Sequence, residues 1–156
     1  MMLTAGDWLR KYVDKTLATD DQSRLTYPSS IAQTLGLELT EIAPGQATLE
    51  MRTDTARHAN PMGTIHGGVL CDIADMAIGT AHATTLQADE SFTTIDLRIN
   101  FFRPIWNERI RAVARAVQRG KTVSYYTCDI HKADGKLIAT VTSSLLTLRG
   151  SEATGR

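Results

Sequence analysis

The chain has 156 residues, 42% of them hydrophobic, which is enough for one compact domain with its own core and too little for two. Its 17 basic residues balance 17 acidic ones, so the formal net charge is zero. With the basic residues spread along the chain, a polybasic surface for nucleic acid or membrane is excluded, and any anionic partner must be met locally.

From the N-terminus, Thr4 followed by Asp7 reads as a helix cap, and Trp8, Leu9, Tyr12, Val13 and Leu17 then form one stripe of an amphipathic helix. Asp7, Arg10, Lys11, Asp14 and Lys15 interrupt this region, leaving no apolar run for a signal peptide or membrane span, so a cytoplasmic protein is expected. The polar run from Thr19 to Ser23 separates this extension, residues 1–25, from a main domain over 26–149. Tyr27 to Ser30 reads as a turn, and Ile31 to Leu35 as a short helix closed by Gly36. Leu37 and Leu39, the turn Ala43-Pro44-Gly45, then Ala47, Leu49 and Met51 predict an antiparallel hairpin.

A polar loop follows, His58-Ala59-Asn60-Pro61-Met62-Gly63-Thr64-Ile65-His66-Gly67-Gly68, and it feeds directly into a helix. Val69, Leu70, Ile73, Ala74, Ala77, Ile78 and Ala81 recur at helical spacing as far as Thr85. Strands are predicted over 93–102, 109–118, 122–133 and 136–148, with Ile95, Leu97, Ile99 and Phe101 on one face of the first. Ile110, Ala112, Ala114 and Ala116 share a face of the second, Asp134-Gly135 and Arg119-Gly120 mark turns, and residues 150–156 form a polar tail. One long apolar helix among antiparallel strands is an α+β arrangement. Cys71 and Cys128 fall in helix and strand without metal-type spacing, and both are expected to be reduced and buried.

The glycines at the helix start leave free N–H groups at the positive end of the helix dipole, suited to a carbonyl oxygen or an anion. Asp75 is an acid on an otherwise apolar helix, with no base at i±3 or i±4. Asp72, one turn earlier, is expected to pair with neighbouring polar groups as structure. His58, His66, His82 and His131 offer no i,i+4 pair with a third ligand, so no metal is expected. Gly120-Lys121-Thr122 lacks the first glycine of a P-loop and precedes a strand, and no Gly-x-Ser-x-Gly elbow is present.

Asn60, six residues before His66-Gly67-Gly68, with Asp75 inside the apolar helix, resembles the acyl-CoA thioesterases of the hot-dog fold. More narrowly, the pattern is similar to the phenylacetate-degradation thioesterase-like family of the 4-hydroxybenzoyl-CoA thioesterase superfamily. The segments from Thr93 to Pro104, Arg119 to Thr122 and Asp134 to Ala139 fit in order, so the resemblance spans Ile31 to Leu148. It implies an antiparallel sheet wrapped round the long helix, with the first helix as an addition.

Thioester hydrolysis needs a donor for the developing oxyanion and a carboxylate to act on water or to attack directly. Gly67 N–H is the candidate donor, Asn60 and His66 would shape that corner, and Asp75 is the candidate base or nucleophile. Gly67 and Asp75 are eight residues apart, about 12 Å of helix, so one chain cannot offer both to one carbonyl. The resemblance implies a homodimer with antiparallel helices and two interface sites, with a tetramer as a further assembly. It also places a hydroxyl on the strand after the helix, which Thr94 matches. Arg103, Arg119 and Lys121 are candidates for the CoA phosphates, CoA being part of the substrate, with no separate cofactor. The implied substrates are aryl- or medium-chain acyl-CoA, with an acyl carrier protein as another source of the thioester. The rival readings are a non-catalytic acyl-CoA-binding module and an enoyl-thioester hydratase of the same fold.

Overall fold

In a computed structural model, which describes residues 1–154, the chain folds as six antiparallel strands round one central helix. The order along the chain is α1 (Ala5–Val13), α2 (Ser30–Leu35), β1 (Glu38–Ala43), β2 (Gln46–Arg52), α3 (Thr55–His58) and α4 (Gly67–Ala83). Strands β3 (Ser91–Phe101), β4 (Arg109–Arg119), β5 (Val123–Lys132) and β6 (Leu137–Leu148) follow, then a 3-10 turn at Gly150–Ala153. Across the sheet the order is β1-β2-β4-β5-β6-β3, so β3 crosses over to become an edge strand.

Helix α4 packs chiefly on β2 and β4, and also on β3, β5 and β6. Its register explains why: Leu70, Ile73, Ala74, Ala77, Ile78 and Ala81 recur at three- and four-residue steps, and all are buried. Full burial of side chains the size of Ile73 and Ile78 stabilises the fold by about 1.5–3 kcal/mol each. The second half of the helix, Ala77 to Ala83, is buried all round, whereas Gly67, Gly68, Cys71, Asp72, Asp75 and Met76 leave the first half partly open. The helix begins at Gly67 rather than Val69, because His66 caps it.

Thr4 caps α1 as expected, accepting from the Asp7 N–H at 3.1 Å. The helix stops at Val13, with Asp14 as its C-cap and Lys15 at φ 57°, so Leu17 lies outside the predicted stripe. Leu9 is 0% exposed and joins the core round α4, so the extension packs onto the main domain. Gly36 ends α2 at φ 68°, a left-handed cap that a side chain resists. Cys128 is buried but Cys71 is only partly so, contrary to the expectation for both, because it lies on the open face of α4. Of the predicted tail, Gly150 to Ala153 forms the turn and buries Ala153, while residues 155–156 lie outside the described chain.

Strand β3 departs from simple alternation. Thr94 pairs with Leu145 and Asp96 with Ser144, so Ile95 is an extra, bulged residue. Ile95 is therefore 55% exposed and does not share a face with Leu97, Ile99 and Phe101 as the pattern predicts. Asp96 supports the irregularity: its Oδ1 accepts the Ser144 N–H at 2.8 Å, while its carbonyl accepts the Ser143 hydroxyl at 2.7 Å.

Candidate active site

Asn60 organises the loop before α4. Its Oδ1 accepts the N–H groups of Met62 at 3.0 Å and Thr64 at 3.2 Å, and its Nδ2 donates to Thr64 Oγ1 at 2.8 Å. His66 then caps the helix, its Nδ1 accepting the Gly68 N–H at 2.9 Å and its carbonyl accepting the Val69 N–H at 3.0 Å. The Gly67 N–H donates to nothing among the described residues, which leaves it as the free donor at the positive end of the helix. A Cβ on Gly67 would fall 2.7 Å from the Phe101 ring, so glycine is needed for that ring to lie over the helix start. Asn60, Gly67, Phe101, Phe102 and Arg103 line one cavity of about 410 Å³.

Two turns along, Asp75 is exposed on α4 and its Oδ1 accepts the Thr94 hydroxyl at 3.1 Å. The β3 bulge makes this contact, since it turns Thr94 to the same side of the sheet as Leu97. Asp75 and Thr94 sit on a second cavity, of about 220 Å³, whose wall is largely apolar through Leu9, Met76, Gly79 and Phe92. The Asp72 carboxyl is held above its usual range by desolvation and by the charge of Asp75. The Asp72 carboxylate makes no hydrogen bond or ion pair among the described residues, so the structural pairing expected for it is not found. Desolvation, then Asp72 and Asp75, push the Cys71 thiol up, which disfavours the thiolate.

Within one chain, then, Asp75 meets Thr94 at one cavity while Asn60, His66 and Gly67 surround the start of the helix. Arg103 lines the Gly67 cavity and donates through Nη1 to the Leu137 carbonyl at 2.7 Å. Arg119 and Lys121 lie at the other end of the sheet. Arg119 packs by Gly45, whose N–H donates to Thr84 Oγ1 just after α4, and the Lys121 carbonyl accepts from Arg149. One chain does not gather the three cations. Among the described residues no group of three or more His, Cys, Asp or Glu side chains is placed to hold a metal.

Tyr27 was beyond the reach of sequence reasoning, although it lines the Asp75 cavity. A turn has no periodicity to say where its ring points. The available signal was the aromatic stripe of α1: Tyr12 meets Tyr27 edge-on at 5.1 Å and stacks on Trp8 at 5.5 Å. Burial first, and then Tyr12, push the Tyr27 phenol up to about 12.

The family model described as the thioesterase superfamily matches residues 62–139, which include Gly67, Asp75 and Thr94. Acyl-coenzyme A thioesterase 13 of Homo sapiens is 30% identical over 118 residues, 74% of this chain and 83% of that protein. The chain belongs to the thioesterase superfamily. The solved structure of a thioesterase family protein from Silicibacter pomeroyi is 26% identical with a TM-score of 0.74, covering 90% of this chain and 98% of that one. The PaaI protein of the phenylacetic acid degradation operon of E. coli, at 20% identity and a TM-score of 0.76, shares the fold over 95% of this chain and 97% of its own. The fold is the hot-dog arrangement, and this thioesterase is a thioester hydrolase. No helix among the described residues is long and apolar enough to cross a membrane.

Proposed function

We propose that the enzyme hydrolyses aryl- or medium-chain acyl-CoA, with Asp75 of one subunit and the Gly67 N–H of a second copy acting on one carbonyl. The observation that carries this reading is the Thr94–Asp75 hydrogen bond at the mouth of an apolar cavity. The unused Gly67 N–H lies about 12 Å away along the same helix, which supports two subunits sharing a site. A second α4 laid antiparallel on the open half of the helix would cover Gly68, Cys71 and Asp72 and bring its own Gly67 to Asp75. Asp75 takes a proton from water as the water oxygen bonds to the thioester carbon. The carbonyl oxygen gains charge against Gly67 N–H, the C–S bond breaks as the carbonyl re-forms, and Asp75 returns its proton to the departing sulfur, so that CoA leaves as the thiol with the free acid as product. Thr94 holds Oδ1 and leaves Oδ2 to the water. Asn60 and His66 fix the loop that aims the donor, and Arg103, with Arg119 and Lys121 from either copy, is assigned to the CoA phosphates. The setting proposed is the cytoplasm, with which the free thiols Cys71 and Cys128 agree.

Free-thiol release from phenylacetyl-, hydroxybenzoyl- and short- to long-chain acyl-CoA tests this, comparing the native protein with Asp75→Asn. Turnover that falls about 10²- to 10⁴-fold in a folded, dimeric variant is expected. Equal turnover by both proteins refutes the role of Asp75, and a monomer in sedimentation with full activity refutes the shared site. Tight CoA binding with no hydrolysis of any thioester would mark a ligand-binding module instead.

A further inference from the structure

His58 holds a place that the reaction as derived above does not use. It ends α3 with 7% of its surface exposed, and its Nδ1 accepts the Asp54 N–H at 3.0 Å. An accepting Nδ1 carries no proton, so the ring is neutral and its proton sits on Nε2. Nε2 is buried and makes no hydrogen bond among the described residues. An apolar side chain would fill the same space without burying an unpaired N–H, so the polar contribution of this ring is its Nδ1 bond.

Four residues of helix do not hold together by propensity, and Asp54 holds α3 together. Its Oδ1 accepts the Ala56 N–H at 2.9 Å, its carbonyl accepts the His58 N–H at 2.8 Å, and its own N–H goes to the His58 ring. Thr53, just before it, is fixed to the sheet, its N–H donating to the Glu108 carbonyl at 2.7 Å. The His58 ring therefore ties the turn to the end of β2. On the other side of the turn the His58 carbonyl accepts the His66 N–H at 2.8 Å, and the His66 ring caps Gly68. The Gly67 N–H lies between these two fixed points, so its direction follows the His58 carbonyl.

We propose that His58 is a positioning residue for the reaction, holding through Nδ1 the turn whose carbonyl aims the Gly67 N–H at the thioester oxygen. The proposal rests on reading the Gly67 N–H as the oxyanion donor. Such a donor works only within about 2.7–3.1 Å of the oxygen, so a small shift of the His66 backbone falls on kcat rather than on KM.

The test separates the two ring nitrogens. His58→Asn sets an amide oxygen where Nδ1 stands and removes Nε2, whereas His58→Gln reaches the Nε2 position and removes the acceptor. Thiol release is measured with the acyl-CoA that the native enzyme cleaves fastest. His58→Asn is expected to keep kcat within about threefold and His58→Gln to lose about ten- to hundredfold, with KM little changed in both. The reverse order, or equal kcat in the two variants, overturns the proposal and leaves the thioesterase reading intact. If the native protein cleaves no thioester, that reading fails instead, and nuclear magnetic resonance decides whether His58 directs the Gly67 N–H. A Gly67 amide resonance that is native-like in His58→Asn and displaced in His58→Gln upholds the role, and one position in all three proteins overturns it. The imidazole nitrogen resonances of the native protein give a check that needs no variant: a bare Nδ1 with the proton on Nε2 is expected, and a proton on Nδ1 overturns the proposal.

Discussion

His82 sits on α4 with 2% of its surface exposed, and both ring nitrogens are engaged: Nδ1 with Tyr126 Oη and Nε2 with Thr147 Oγ1, each at 3.1 Å. Phe92 packs edge-on against it at 5.3 Å. Burial lowers the imidazole to about 4 from an ordinary 6.5, with Glu90 opposing the shift and Arg119 adding to it. The folded state therefore prefers neutral His82, and the unfolded chain takes the proton first as pH falls. Stability is fully present above about pH 6.5 and declines between there and about pH 4. At 1.36 kcal/mol per unit, the loss from this one group reaches about 2 kcal/mol near pH 5 and about 3 kcal/mol near pH 4. Urea unfolding followed by circular dichroism at several pH values, for the native chain and His82→Gln, isolates it, since the carboxylates common to both cancel in the difference. The variant should start less stable at neutral pH and approach or cross the native curve by about pH 4. Parallel curves across that range would show that His82 is not held neutral by its surroundings.

Two further changes probe the cavity. Thr94→Val removes the donor to Asp75 while keeping the shape, and kcat is expected to fall about tenfold with KM little changed; an unaltered kcat in a thiol-release assay would show that the Thr94–Asp75 bond does not serve the reaction. Gly79→Ala would place a Cβ 3.2 Å from the Phe92 ring, so Phe92 is pushed into the cavity. The loss in kcat/KM is expected to be steeper for aryl than for short straight-chain acyl-CoA, and an equal loss across the panel would contradict that crowding.

Much of the fold is legible in the residue order because its elements obey local rules. The α4 periodicity, the Gly36 cap, the hairpin round Pro44-Gly45 and the Asp134-Gly135 turn each depend on a few neighbouring residues, and their boundaries fall within about two residues. The candidate site residues Asn60, His66, Gly67 and Asp75 are also readable, since loop, glycines and acid lie within one continuous stretch. Leu17 and Cys71 depart from expectation for non-local reasons. Apolar spacing continues to Leu17, but Lys15 enters the left-handed region and ends the helix path first. Cys71 falls on the half of α4 that the sheet does not cover, and no periodicity within the helix states how far the sheet wraps. Tyr27 is hidden for the same kind of reason, because its place in the cavity is set by contacts with α1 and α4 rather than by its own neighbours.

The residue that most alters the chemistry is the extra one in β3. In an unbroken strand Thr94 and Leu97, three apart, would face opposite sides of the sheet, and period-two reading therefore sets Ile95 with Leu97. Inserting Ile95 as a bulge reverses that phase for everything before it, so Thr94 turns towards α4 and Ile95 to solvent. An apolar residue is exposed as a result, and a ladder N–H at Ser144 loses its regular partner. Asp96 answers the second problem by accepting that N–H with its own carboxylate. A mid-strand Asp is disfavoured in a regular strand, so its presence next to a Thr-Thr-Ile run is the trace the bulge leaves in the sequence. The same device explains why Thr94 rather than Thr93 reaches the Asp75 carboxylate: the choice between adjacent hydroxyls is made by the phase of the strand, not by the side chains.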